Sequence, residues 1–146
     1  MIVIKRLFLL LVTVPLFISS CTGQQLPYTL ADESKLPAFL VDAAPTVREA
    51  YRFAMANMDE TAKYPCYCGC GAMGHMSNLN CYIQDVDRAG NITFDEHAAG
   101  CGICVDITQD VMRLLREGKA SPEIRTYIDA TYSAYGPSTD TPLPQG

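Results

Sequence analysis

The sequence is poor in positive charge, in histidine and in recognisable catalytic sets. Lys and Arg number only 11 against 16 Asp and Glu, a net charge of −5 over 146 residues. Such a chain offers no basic platform for nucleic acid. No apolar run is long enough for a permanent membrane-spanning bundle. Nothing repeats at a period of about 20–50 residues, which removes a solenoid. Neither a Gly-rich phosphate loop nor a Ser-His-Asp set is visible. The two histidines both lie among cysteines, so little is left for general-base catalysis. A binding protein rather than an enzyme is the expectation. What the chain does have is sulfur. Of its seven cysteines, six fall between Cys66 and Cys104, together with both histidines.

The first twenty residues read as an address. Lys5 and Arg6 precede the apolar stretch Leu7 to Ile18, which is of signal-peptide length. The stretch ends in Ile18-Ser19-Ser20-Cys21. Small residues directly before a cysteine resemble a bacterial lipobox, with cleavage before Cys21 and acylation of that thiol. Acyl chains would then hold the protein on a membrane surface. Beyond Cys21 the chain carries 9 basic and 16 acidic residues, a net of −7. The expected class is an acidic, exported, lipid-anchored domain of the bacterial cell envelope, whose thiols meet an oxidising compartment.

Residues 21–40, with Pro27 and Pro37, read as a tether. A helix follows, with Asp42 as its cap and Pro45 in its first turn. Val47, Ala50, Tyr51, Ala54, Met55 and Met58 form its apolar stripe, and its end is expected near Asp59 to Lys63. The glycine-rich run PCYCGCGAMGH occupies 65–75. Ser77 can cap a short helix, and a turn is expected at Asp87 to Asn91. A second long helix should begin near His97 or Cys101 and stop at Gly118. A third opens at Ser121-Pro122-Glu123. Residues 136–146 read as a disordered Pro/Ser/Thr-rich tail. The fold class expected is therefore mostly α: a small Cys/His-rich helical domain over 41–135, with a cysteine-rich loop between helices. A core of that size often leans on metal or disulfides.

The donors are Cys66, Cys68, Cys70, His75, Cys81, His97, Cys101 and Cys104. Cys101-Gly-Ile-Cys104 is a CxxC at an expected helix start, where backbone N–H groups favour thiolate. Cys66-x-Cys68-x-Cys70 places three soft donors within a few ångströms, and a cation would relieve their repulsion. Soft sulfur selects Cu(I), Zn(II) and iron–sulfur clusters. The eight could fill two four-coordinate zinc sites or hold several cuprous ions through bridging thiolates. Met73 and Met76, beside His75, are further soft donors. Two other readings compete. Six cysteines in an exported domain could form three disulfides, although these have no need of histidine. Cys101 and Cys104 could exchange with disulfides of a substrate, although no β-α-β pattern precedes them. Val105 after Cys104, where a c-type haem needs His, disfavours haem.

PCYCGC, then Gly-His, a later cysteine, a second His and Cys-Gly-x-Cys together resemble the PCYCGC-motif bacterial lipoproteins over roughly residues 45–130. The resemblance implies a small exported domain with a heavy-metal role, in agreement with the lipobox. The ligand set rests on residue chemistry alone.

Asp85 to Glu96 follows an EF-hand loop with acids at Asp85, Asp87 and Glu96, an oxygen donor at Asn91 and glycine at Gly90. Ala89 stands where a ligand oxygen belongs. Any calcium binding would be weak, and the plainer reading is a turn that brings Cys81 back toward His97, Cys101 and Cys104. Asp42, Glu49 and Glu123 read as caps and solvated faces, and Tyr67 as a shield of the sulfurs or as packing. The reading that results is a membrane-tethered protein that captures, stores or transfers a soft metal, Cu(I) or Zn(II), with a metal-donor or metal-acceptor protein as partner.

Overall fold

The computed structural model describes residues 25–145; the expected signal segment and Cys21 lie outside them. Four α-helices and one hairpin are present among the described residues: α1 (Pro45–Ala56), α2 (Met58–Thr61), β1 (Ile83–Val86), β2 (Ile92–Phe94), α3 (Gly102–Arg116) and α4 (Ser121–Tyr132). None of these helices is long and apolar enough to cross a membrane.

α1 starts at Pro45 because proline needs no N–H partner there. The residue before it, Ala44, is extended and caps nothing with its side chain, so Asp42 is not the cap. The helix breaks at Asn57 (φ −137°, ψ 51°) and resumes as the single turn of α2. The Asn57 amide donates to the Thr29 and Phe53 carbonyls at 2.7 and 2.9 Å, which pins the break. Gly118, at φ +77°, ends α3 as expected. The Glu123 carboxylate accepts the Ala120 N–H at 3.1 Å and starts α4.

α3 packs between α1 and α4. The core joins Ala50, Tyr51, Phe53 and Ala54 of α1 to Ile107, Val111 and Met112 of α3 and Ile124 and Ile128 of α4, all fully buried. Each large side chain in this set contributes about 1.5–3 kcal/mol by leaving water. The hairpin is antiparallel, with Ile83 opposite Phe94 and Val86 opposite Ile92. Its turn, 87–91, is held by Asp87, whose carboxylate accepts the N–H groups of Ala89 and Asn91 and the Asn91 amide. It returns the chain from Cys81 to His97, as the sequence pattern implied.

Two expectations are corrected. The part of the supposed tether from residue 25 onward folds onto the domain. Tyr28 is buried edge-on against Phe53 (centroids 5.1 Å apart), Leu40 is buried, and Ala31 and Arg52 exchange hydrogen bonds. The tail is not disordered either. Thr139 and Thr141 are buried, and the Thr139 N–H donates to the Cys66 carbonyl at 2.9 Å. Thr139 Oγ1 accepts the Cys66 N–H at 2.9 Å. The cysteine loop belongs to no helix or strand at Cys66, so its buried backbone groups need partners, and the tail supplies them.

Candidate metal centre

Three segments converge at the N-terminal end of α3. The first is the loop from Pro65 to His75. Gly69 (φ +85°) and Gly74 (φ +91°) take left-handed turns that a side chain would strain. Between them Cys70 to Met73 form a 3-10 turn, and the His75 N–H donates back to the Cys70 carbonyl at 3.3 Å. The chain is thereby wrapped around its own sulfurs. The second segment is the 3-10 turn Asn78–Cys81, opened by Ser77 and closed by Asn80, whose Oδ1 accepts the Ser77 N–H at 3.1 Å. The third runs from Asp95 to Cys104. Cys101 is the residue just before α3, and Cys104 lies in its first turn.

All eight donors come together here. Cys66 Sγ lies 3.3 Å from both Cys68 Sγ and Cys104 Sγ. Cys68 Sγ is 3.6 Å from Cys104 Sγ and 3.2 Å from His97 Nε2. Cys70 Sγ is 3.6 Å from Cys81 Sγ, which is 3.5 Å from His75 Nδ1. The six cysteines are free thiols, so no disulfide staples this region. Seven donors fall into four groups whose ligand atoms all lie within 4.8 Å of one another. The groups are Cys68-His97-Cys101-Cys104, Cys66-Cys68-Cys70, Cys66-Cys81-Cys104 and Cys70-Cys81-His97. Tetrahedral zinc, with bonds of about 2.3 Å to sulfur, spaces its sulfurs by about 3.7 Å. A disulfide spaces them by about 2.05 Å. The observed 3.3–3.6 Å separations lie near the first value and far from the second. Donor type and spacing both fit a soft metal, and these groups are positioned to bind one.

Crowding of the thiols decides their protonation. S–H donation from Cys104, then Cys81, pulls the Cys66 thiol far below its ordinary range, and Cys81 does the same for Cys70 to a smaller degree. Cys81 is pushed up by its bonds to Cys104, Cys66 and Cys70 and by burial. Cys68 is pushed up first by burial and then by Cys66. Cys104 is pushed up by Cys66 and by burial.

A family model described as a protein of unknown function with PCYCGC motif matches residues 20–144. The chain belongs to the PCYCGC family. No curated protein and no solved structure matches it. In this PCYCGC protein the named motif is the loop that brings Cys66, Cys68 and Cys70 to the cluster.

Several supporting residues carry no sequence signal. Asp95 Oδ1 accepts the His97 N–H at 2.7 Å, and its Oδ2 lies 3.6 Å from His75 Nε2. One carboxylate thus holds the His97 backbone and reaches toward the His75 imidazole, the usual arrangement behind a ligating histidine. Tyr51 donates to the Asp95 carbonyl at 2.6 Å, and Tyr82 donates to the Cys104 carbonyl at 2.8 Å. Thr108 accepts from the Asn78 amide at 2.7 Å and bonds the Tyr82 hydroxyl at the same distance. Tyr67 is buried beside the cluster, and its hydroxyl donates to Asp129 at 2.7 Å. Asp85, Asp87 and Glu96 fall in none of the candidate groups. Asn91 donates to Asp87 rather than facing a shared centre, and strands, not helices, flank the turn.

Proposed function

We propose that this protein binds several soft metal ions in one thiolate-bridged cluster, Cu(I) foremost and Zn(II) second, and captures, stores or transfers them. The observation that carries the reading is the overlap of the four groups. Cys66, Cys68, Cys70, Cys81, His97 and Cys104 each belong to two of them. A single ion takes about four ligands, so seven donors in shared sets suit more than one ion with bridging sulfur. Cu(I) is the ion that softness favours most.

Exchange of thiolates would move the ion. Cys66, Cys81 and Cys104 are fully buried and serve as the fixed floor, whereas Cys68 and Cys101 are half-buried and reachable by a partner's thiols. Acylation at Cys21 would hold the domain on the outer face of a bacterial membrane, near a donor or acceptor of the metal. Protein from metal-supplemented cells, analysed by elemental and native mass spectrometry, tests the reading. More than one ion per chain is expected, with six thiols recovered after its removal. Metal-free protein with three disulfides would overturn it.

A further inference from the structure

We propose that Met73, Met76 and His75 form the port through which Cu(I) reaches the cluster. The inference rests on the soft-metal reading above and adds a route to it. A recess of about 190 Å³ opens beside the cluster, lined by Met73, His75, Asn80 and Asp95 among others. Exposure falls steeply inward from it. Met73, on its lining, is 60% exposed and Met76, next to His75 in the chain, 53%; the His75 side chain is 12% exposed and Cys81 fully buried. Along that line the donors change from thioether to imidazole to thiol, each binding Cu(I) more strongly than the last. His75 links the two sides: its Nδ1 lies 3.5 Å from Cys81 Sγ, and its Nε2 lies toward Asp95 in the recess.

Single exposed apolar side chains are ordinary. These two differ because their backbone is fixed while the residues stay largely exposed. The Met76 N–H donates to Asn80 Oδ1 at 3.0 Å, and the Met76 carbonyl accepts from Thr141 at 2.6 Å. Met73 closes the 3-10 turn that Gly74 ends. A flexible, polarisable thioether displayed this way can take a cuprous ion from a carrier and release it inward. Zinc, which takes thiolate, imidazole and carboxylate, gains little from it.

The test compares the reduced protein with the double variant Met73→Leu/Met76→Leu, which keeps size and apolarity but removes the sulfurs. Uptake is followed anaerobically from a Cu(I)–bicinchoninate complex and, separately, from a Zn(II) chelate. The port predicts Cu(I) uptake slowed at least fivefold, an unchanged final number of ions, and an unchanged Zn(II) rate. Any smaller slowing of Cu(I) at full occupancy overturns the port while leaving the cluster standing. Equal slowing of both metals also overturns it. Failure of the unaltered protein to take up Cu(I) overturns both readings.

Discussion

The two ends of α3 are held by different physics. Its C-terminal half sets Val111, Met112 and Leu114 in an apolar core shared with α1 and α4. That core needs no ligand, because removal of apolar surface from water stabilises it directly. Its N-terminal end carries Cys101 and Cys104 into a cluster of six thiols and two imidazoles. There the crowding raises and lowers thiol protonation in opposite directions. An ion would replace that conflict with shared bonds. One helix thus joins a self-sufficient half to a half that a bound ion would complete.

The sharpest way to break the comparison is to remove donors. Cys66→Ser with Cys104→Ser takes ligands from three of the four groups. Native mass spectrometry should show at most one ion per chain. The stabilisation that metal gives the unaltered protein, about 4 kcal/mol at a thousandfold excess over Kd, should largely disappear in thermal melts. Phe53→Ala attacks the other half. It should cost about 3–5 kcal/mol, equally in metal-free and loaded protein, with the number of bound ions unchanged by mass spectrometry.

Thr139→Val strips the Cys66 N–H of its acceptor inside the protein. A cost of about 1–3 kcal/mol is expected, together with faster loss of metal to a chelator, because the variant loosens the loop that carries three sulfurs. Glu60→Gln should act least. Burial opposes the Glu60 charge, but hydrogen bonds from Lys63, Tyr64 and Ser121 outweigh it and hold the carboxyl below the usual range. A lowered carboxyl contributes stability above its unfolded pKa of about 4.3 and loses it as the pH falls through the folded value. Chemical denaturation should therefore show the parent losing a contribution of about 1 kcal/mol below that pH, and the variant lacking it. Metal content at neutral pH should not change.

The same division governs what could be read from the residues alone. The apolar half was legible because burial writes a 3.6-residue period into α1, α3 and α4, and because Pro45, Pro122 and Gly118 mark ends by local geometry. The convergence of the eight donors was legible too, since few other roles gather both histidines among six cysteines. The supports of the cluster were not. Thr139 meets Cys66 across 73 residues, and Tyr82 meets Cys104 across 22. Contacts between a backbone group and a distant hydroxyl leave no periodic trace. Asp95 lies inside the stretch that follows a degenerate calcium loop, where nothing in the pattern marks it as a support of the cluster. The tail looked disordered because its prolines and threonines bury little apolar surface. Its order comes instead from hydrogen bonds to a loop that has no ladder of its own.

X-ray absorption at the copper edge of the Cu(I)-loaded protein tests the bridged cluster most directly. The account predicts a first shell dominated by sulfur with a nitrogen contribution, and scattering from a second copper beyond it. A shell of oxygen and nitrogen, or sulfur ligation around an isolated ion with no neighbouring metal, would contradict it.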